Sequence, residues 1–105
     1  MHKKNVVITE LNKFKNNLSV DIPIEKMILF GSMAKGKRSK DSDIDLIVVS
    51  QKFKGKKSFN RSVGFYRHWN LDYPVDFLCY TPKEFNKLKK QITIVREALR
   101  EGIEI

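Results

Sequence analysis

The spacing of apolar residues predicts three helices along the chain. Near the N-terminus they recur at intervals of four, three and four, at Val7, Leu11, Phe14 and Leu18. This spacing predicts an amphipathic helix over about residues 5–18, which ends at Asp21-Ile22-Pro23 because proline cannot continue a helix. A second stripe predicts a helix from Ser58 to about Asn70, with Phe59, Val63 and Tyr66 on one face.

The third helix has the clearest start in the sequence. Thr81 is a candidate N-cap, Pro82 occupies the first helical position and Glu84 completes a capping-box pattern. Apolar residues then repeat at intervals of three and four: Phe85, Leu88, Ile92, Val95 and Leu99. The pattern predicts one continuous helix with Gly102 as its C-terminal cap.

Short apolar runs predict the strands. They cover residues 26–30, 43–50 and 75–80, and the alternating residues 103–105 predict a short edge strand. After Lys26, every residue of the run at 26–30 is apolar, which is typical of a strand covered on both faces. With a short helix allowed after Gly31, the order is α-β-(α)-β-α-β-α. It predicts an α/β fold, a small mixed sheet of three to four strands with helices mainly on one face.

Length and net charge limit the number of domains and the kinds of binding partner. The 105 residues predict one domain spanning residues 1–105, because a chain of this size buries one core. The formal net charge of +9 favours anionic partners. The lysines are scattered, and the densest group, Lys52 to Lys57, is typical of a solvated loop. Any binding to nucleic acid is therefore expected to be nonspecific, since no recognition motif accompanies the charge.

Cysteine use and hydropathy indicate where the chain works. A single cysteine, Cys79, excludes an internal disulfide and is interpreted as a small core residue in a reducing, cytoplasmic environment. No apolar run approaches the roughly 20 residues that cross a bilayer, so no membrane association is expected. The N-terminus has no long apolar region after its positive charges, so we expect no secretory signal.

One stretch carries a pattern that needs a chemical explanation. The strand at 26–30 ends in Gly31-Ser32, and Asp43 and Asp45 follow after ten residues. Alternate residues of a strand share a face, so the two carboxylates point the same way. Like charges this close are unfavourable unless a cation, usually Mg²⁺, lies between them. Asp76 interrupts the next apolar strand and joins the pair if the two strands are neighbours.

The turn before the aspartates fits an anion. A strand leading into Gly31-Ser32 and the start of a helix presents backbone N–H groups and a hydroxyl to a phosphate. Three carboxylates opposite such a turn suit in-line attack on a nucleotide phosphate, with one metal ion activating the acceptor hydroxyl and another stabilising the leaving pyrophosphate.

These residues resemble a known superfamily. Gly31-Ser32, then Asp43-x-Asp45, then Asp76 within Val-Asp-Phe resemble the nucleotidyltransferases of the DNA polymerase beta superfamily. The chain is most similar to the minimal nucleotidyltransferases, short proteins encoded beside a helical HEPN partner, and the resemblance covers about residues 5–105. One departure is Lys35-Gly36 where the family commonly has Arg-Gly, and lysine keeps the charge without the bidentate fork.

The resemblance implies a role for each motif residue. Gly31, Ser32 and Lys35 would bind the nucleotide, which would be ATP or another nucleoside triphosphate. Catalysis and metal binding would fall to the three aspartates: Asp43 and Asp45 would hold two Mg²⁺ ions, and Asp76 would bind the catalytic one and help activate the acceptor hydroxyl. The resemblance further implies transfer of AMP to a tyrosine of a HEPN-type toxin, as an antitoxin of a type VII-like system.

Alternative interpretations stay open at this point. The chain is also compatible with an antitoxin that blocks its partner by stoichiometric contact without catalysis, since no acceptor-binding domain is evident. A small-molecule nucleotidyltransferase is a further alternative, with the acceptor pocket supplied by a homo- or hetero-oligomer. His68 and Trp69 are interpreted as packing or partner-facing residues before base-stacking ones.

Overall fold

The computed structural model describes residues 3–31, Ala34 and residues 43–105. Its helices are α1 (Lys3–Asp21), α2 (Pro82–Leu88) and α3 (Ile94–Glu101), and its strands are β1 (Lys26–Phe30), β2 (Ile44–Val49), β3 (Val75–Tyr80) and β4 (Ile103–Glu104). Three 3₁₀ turns lie between β2 and β3, at Gln51–Phe53, Ser58–Asn60 and Phe65–His68. The optional short helix after Gly31 falls outside the described residues.

The four strands form one mixed sheet in the order β3-β2-β1-β4. β1 is antiparallel to both β2 and β4, whereas β2 and β3 run parallel. The predicted fold class, a small mixed sheet within an α/β chain, is confirmed, and residues 103–104 do form the edge strand that the sequence predicts.

Helices cover both faces of the sheet, which differs from the expectation that they lie mainly on one face. α1 packs on one face, where its buried residues Val7, Leu11, Phe14 and Leu18 meet Leu29, Leu46 and Val48. Phe85 of α2 and Val95 and Ala98 of α3 pack on the other face, against Ile28, Ile47 and Val49. The central strands are apolar in both phases, so each face needs its own cover.

An aromatic cluster fixes α1 against the sheet. Phe14 stacks on Phe77 of β3 with ring centroids 5.8 Å apart, and Trp69 meets Phe14 edge-on at 5.2 Å. The indole Nε1 of Trp69 donates to the carbonyl of Tyr73 at 3.0 Å. Offset and edge-on pairs of this kind add about 1 kcal/mol each beyond their buried area. Trp69 is thus a packing residue, in line with its predicted role.

The predicted helix from Ser58 to Asn70 is wrong. Two short 3₁₀ turns occupy this segment, and Gly64 between them has φ of +89°, a left-handed conformation that no α-helix accommodates. The predicted buried stripe faces solvent instead, with Phe59 at 74% and Val63 at 71% exposure. Phe65 enters the core in their place, because the break at Gly64 changes which residues face the sheet.

The predicted helix from residue 82 to residue 101 is interrupted. Its capping box is confirmed, since the Thr81 side chain accepts from the Glu84 N–H and the Glu84 carboxylate from the Thr81 N–H. α2 nevertheless ends at Leu88, and Thr93 caps a separate helix, α3. β-branched residues are dense around the break, in Ile92-Thr93-Ile94-Val95, and they favour helices weakly. Ile92 is consequently 95% exposed, outside the core.

Arg61 joins the 3₁₀ segment to the end of β3. Its residue is 8% exposed, and its guanidinium makes a bidentate pair with Glu84, the capping-box residue of α2. The same side chain donates to the carbonyls of Lys56 at 3.0 Å and Cys79 at 3.1 Å. One buried charge therefore holds a loop, a strand end and a helix start together.

None of the helices in the described ranges has the length and hydropathy that crossing a bilayer needs.

Candidate functional site

The parallel pairing of β2 and β3 brings two of the predicted site residues side by side. Asp45 and Asp76 are direct partners in the register, so their side chains share one face of the sheet. Asp43 lies two residues before Asp45, just ahead of β2, and its charge acts on Asp45. The three candidate carboxylates thus lie at the same end of the sheet, and their catalytic and metal-binding roles stay predictions.

These aspartates differ in exposure. Asp45 is half-buried, whereas Asp43 and Asp76 are solvent-exposed even though Asp76 follows the buried Val75. Their face is the one that carries Ile47 and Val49 against α2 and α3, but they lie at its open end. An exposed position costs a carboxylate little, and it leaves the oxygens accessible to a ligand from solvent.

The electrostatics of this cluster centre on Asp45. Burial first, and then the negative charges of Asp76 and Asp43, raise the pKa of its carboxyl above the ordinary value. No cationic side chain of the described residues contributes to this shift. An unbalanced group of negative charges in a partly desolvated position attracts a cation.

Gly31 closes the other side of the cluster. It has φ of +79°, and a β-carbon placed on it would lie 2.5 Å from Oδ2 of Asp45. Any larger residue would therefore meet the carboxylate as well as adopt a strained backbone. The register explains this contact, because Phe30 pairs with Asp45 across β1 and β2 and Gly31 follows directly.

The predictions for Ser32 and Lys35 lie outside the described residues, so their roles at the nucleotide stay predictions. Gly31 is the one predicted nucleotide-binding residue that the structure describes, and it lies against the Asp45 carboxylate.

The donor set fits a divalent cation in chemical type. Carboxylate oxygens are the ligands that Mg²⁺ prefers, and the three aspartates offer up to six of them with a surplus of negative charge. Within residues 3–31, 34 and 43–105, no three His, Cys, Asp or Glu side chains are already arranged as they would be around a bound metal. The match between these aspartates and a divalent cation is therefore one of charge and donor chemistry, and not of side-chain arrangement.

Cys79 and His68 are chemically reactive residue types that lie outside the candidate site. Cys79 is half-buried, and burial raises the pKa of its thiol to about 12, which keeps it protonated and unreactive at neutral pH. His68 Nε2 lies 3.5 Å from Oδ2 of Asp21, at the end of α1 and away from the three site aspartates. Neither residue belongs to the carboxylate cluster.

Sequence reasoning missed the role of Arg61 and the surface that α3 presents beside Gly31. Arg61 lies in a segment with many exposed basic residues, and nothing in its spacing distinguishes it. Glu84 carries the only sequence signal, and the capping box alone accounts for that residue.

The chain belongs to the nucleotidyltransferase domain family, whose family model matches residues 11–100. The match spans β1, Gly31, β2 and β3, and so includes all three aspartates. The class of protein is therefore a nucleotidyltransferase, with a nucleoside triphosphate as the substrate that the domain implies. No curated protein matches the sequence significantly.

Solved structures share the fold. A candidate nucleotidyltransferase from Sulfolobus solfataricus superimposes with a TM-score of 0.57 at 20% identity, covering 93% of this chain and 83% of its own. Another candidate nucleotidyltransferase has 28% identity over 79% of this chain and 87% of its own, with a TM-score of 0.46. The first likeness supports the assignment of the fold.

Proposed function

We propose that this protein is a Mg²⁺-dependent nucleotidyltransferase that transfers AMP from ATP to a tyrosine hydroxyl of a HEPN-type partner protein. The observation that carries the proposal is the position of Asp45, in register with Asp76 and in contact range of Gly31. This approach supports the proposal, because Asp45 is a candidate metal ligand and Gly31 belongs to the candidate phosphate-binding turn. Both parts of a phosphoryl-transfer site then lie within one domain, residues 1–105.

The aspartates perform distinct tasks in this proposal. Asp43 and Asp45 would bind both metal ions, and Asp76 would bind the catalytic one. When bound, Mg²⁺ neutralises phosphate charge and lowers the pKa of a coordinated hydroxyl. The half-buried Asp45 is held in place by β2, whereas Asp76 is exposed on the edge strand β3, where an acceptor can approach. Asp76 would orient the acceptor hydroxyl and promote loss of its proton.

The proposed reaction balances as a simple displacement. The acceptor oxygen forms a bond to the α-phosphorus of ATP, and the bond from that phosphorus to the bridging oxygen of the β-phosphate breaks. Pyrophosphate leaves with the bonding pair, and the hydroxyl proton passes to solvent or to a carboxylate near Asp76. Gly31 and Ser32 would hold the triphosphate for this in-line geometry.

A label-transfer assay tests the proposal. The protein is incubated with Mg²⁺, α-labelled ATP and the product of its neighbouring gene, and label is expected on a partner tyrosine. Label should disappear in the Asp43→Asn/Asp45→Asn variant and persist in Asp72→Asn, a matched change in the exposed turn before β3. Transfer that is absent in the wild type, or equal in the wild type and the double variant, contradicts the proposal.

A second candidate function is a non-catalytic antitoxin that works by stoichiometric binding. It is favoured by the exposed apolar residues Phe59, Val63 and Tyr66, which the core leaves uncovered. Suppression of the partner's toxicity in cells by the Asp43→Asn/Asp45→Asn variant would support this alternative. Loss of suppression, with the complex still forming, would support catalysis.

A further inference from the structure

The segment that joins β2 to β3 carries much of the positive charge of the chain. Residues 51–71 contain no aspartate or glutamate, and the formal net charge of the whole chain is +9. The segment holds six lysine and arginine residues: Lys52, Lys54, Lys56, Lys57, Arg61 and Arg67. All except the buried Arg61 are exposed, and these exposed cations make no ion pair with another described residue. Residues 51–71 are called the basic segment below.

The basic segment lies along the outer side of β3, which is an edge strand of the sheet. The Arg61 guanidinium donates to the carbonyl of Cys79 at 3.1 Å, and the Tyr66 hydroxyl donates to the carbonyl of Val75 at 3.3 Å. Another chain therefore cannot add to this edge as a further strand without displacing the two side chains. A partner at this edge would contact the exposed side chains of the basic segment instead.

The basic segment also reaches the candidate site. The hydrogen bond from Tyr66 ends at Val75, the residue directly before Asp76. The Tyr66 ring packs edge-on against Phe77, with ring centroids 5.4 Å apart. A molecule bound on the basic segment therefore lies next to the exposed Asp76, the residue to which the proposed function gives the acceptor.

Val63 is an exposed aliphatic residue among these cations. It lines a depression of about 470 Å³ together with two of the lysines and two uncharged residues, Gly55, Lys56, Lys57 and Asn60. The Arg67 guanidinium approaches Gly64, the next residue along the chain, because its Nη2 lies 3.3 Å from where a β-carbon of Gly64 would be. Val63 thus has cationic groups from two different turns in its surroundings.

Phe59 and Tyr66 add apolar surface on either side of Val63 along the chain. Phe59 is 74% exposed, Val63 71% and Tyr66 59%. Single exposed apolar residues are common, but three within residues 59–66 form a patch, and such patches mark interaction surfaces. Aromatic and apolar side chains with a charged rim are the usual composition of a protein interface.

The charge of the basic segment selects the kind of partner. A second copy of the chain would bring the same positive charges face to face in a two-fold contact, which is unfavourable. Single-stranded nucleic acid would match the cations, but its bases stack on aromatic rings, whereas the apolar side chain in the depression is the aliphatic Val63. A protein segment with both carboxylates and an apolar side chain matches the cations and Val63 together.

We propose that the basic segment docks an acidic, partly apolar segment of a partner protein. The carboxylates of the partner pair with Lys56, Lys57 and Arg67. An apolar side chain of the partner contacts Phe59 and Val63. The proposal rests on the proposed function in taking the acceptor to be a protein, but docking itself requires neither nucleotide nor metal ion.

Fluorescence anisotropy with a labelled model peptide tests this surface. The peptide consists of glutamates around a central phenylalanine and leucine, and the wild type is expected to bind it. Lys56→Glu/Lys57→Glu should weaken binding roughly tenfold or more, because two attractions become repulsions. Val63→Ser should weaken it roughly fivefold through the loss of an apolar contact. A peptide with serines in place of phenylalanine and leucine should bind the wild type and Val63→Ser equally.

Two control variants repeat these chemical changes elsewhere. Lys89→Glu/Lys90→Glu reverses two adjacent exposed lysines after α2, which packs on the opposite face of the sheet from the basic segment's Phe65. Ile92→Ser alters an apolar residue that is 95% exposed. The controls should bind the peptide more tightly than the matching variants of the basic segment. Equal losses would show attraction to net charge alone and would overturn the proposal.

Other occupants of the surface give different results. Polyuridine and phosphatidylserine vesicles should respond equally to the two double lysine variants, because they sense the net charge. A larger loss with either probe in Lys56→Glu/Lys57→Glu would overturn the choice of a protein partner. Sedimentation of the wild type should show a monomer, and a dimer that Val63→Ser dissociates would overturn the proposal in favour of a second copy.

The last comparison distinguishes docking from the proposed function. Asp43→Asn/Asp45→Asn should bind the peptide no more weakly than the wild type, because docking does not use these carboxylates. Label transfer by a wild type that does not bind the peptide would overturn the docking surface and keep the nucleotidyltransferase proposal. Peptide binding that depends on Lys56, Lys57 and Val63, without label transfer, would support the docking surface and contradict the proposed function.

Discussion

The two ends of β3 have opposite electrostatics. At its start, Asp76 lies beside Asp45, and the like charges together with burial raise the pKa of Asp45. At its end, the Cys79 carbonyl and the capping residue Glu84 both receive hydrogen bonds from the buried Arg61. The Arg61 hydrogen bonds lower the pKa of Glu84, and the same interaction raises that of Arg61.

This difference in charge pairing distinguishes a candidate functional site from a contact that only stabilises the fold. At the other end, Arg61 and Glu84 are paired with each other, which stabilises the fold. At the Asp45 end the charges repel one another, so the folded chain is less stable than it would be with neutral residues there. Such a cost is typical of positions kept for binding or catalysis. Four predictions test this comparison, from the largest expected effect to the smallest.

Asp45→Asn should abolish transfer without harming the fold. We expect the rate to fall roughly a thousandfold, about 4 kcal/mol. The reason is that the proposed Mg²⁺ ions, which neutralise the phosphates, would lose a ligand. Stability at pH 7 should stay equal or rise. The folded pKa of Asp45 lies above its unfolded value, so its ionisation disfavours folding as pH rises through the folded pKa. Label transfer and thermal unfolding measure the two effects, and a less stable variant would contradict this assignment.

Arg61→Met should have the reverse profile, a large loss of stability at the structural end of β3. Removing the buried Arg61 should cost about 3 kcal/mol, because two carbonyls and the partly exposed Glu84 each lose a hydrogen bond worth about 1 kcal/mol. Denaturant unfolding measures the change. Arg67→Met, at an exposed position in the next turn, serves as the control and should cost less than about 0.5 kcal/mol. Equal losses of unfolding free energy in the two variants would show that Arg61 does not stabilise the fold in this way.

Gly31→Ala and Gly55→Ala form a matched pair at the boundary of the site. Both glycines have left-handed backbone, with φ of +79° and +81°, so each alanine should cost about 1 kcal/mol of unfolding free energy. Only at Gly31 would the new β-carbon meet Asp45, and we expect about 1–2 kcal/mol more there.

A double variant identifies the cause of that extra cost. Gly31→Ala combined with Asp45→Ala should recover most of the difference in the same unfolding experiment, because the contacting carboxylate is gone. If the two substitutions are additive, the contact between Gly31 and Asp45 does not limit this position.

The pH dependence of stability should reflect Glu84 in the opposite sense to Asp45. The folded pKa of Glu84 lies below its ordinary value of 4.5, so its contribution to stability is present above that pH and is lost as pH falls through the folded pKa. Unfolding of the wild type and Glu84→Gln from pH 7 to pH 3 should therefore converge in acid. The effect is the smallest of the four, since the Glu84 side chain is 43% exposed and screened by solvent. A constant difference across this range would refute it.

Local signals in the sequence account for much of the fold. The residues of β1 and β3 coincide with the predicted apolar runs, and Thr81, Pro82 and Glu84 begin α2 as their pattern indicates. These features depend on neighbouring residues, alternation, capping and the fixed φ of proline, so the sequence contains them directly.

Features that depend on competition between segments were harder to predict. The stripe of Phe59, Val63 and Tyr66 has helical spacing. Gly64 has a left-handed backbone and Arg61 pairs with Glu84, so the segment forms 3₁₀ turns and the stripe stays exposed. Ile92 likewise fits a helical repeat, but a cap at Thr93 starts α3 in a new phase. Periodicity reports which residues can share a face and cannot report which face the core accepts.

The candidate site shows the same division. By itself the sequence determined the identity of the residues, Gly31 at a turn and three aspartates at strand positions, because residue type and alternation are local properties. Only the tertiary structure decided that β2 and β3 are parallel neighbours, with Asp45 opposite Asp76 and against Gly31. It also decided that α3 forms a cleft beside Phe30 and Gly31. Strand order and helix placement arise from burying both faces of the sheet at once, a requirement that no single segment encodes.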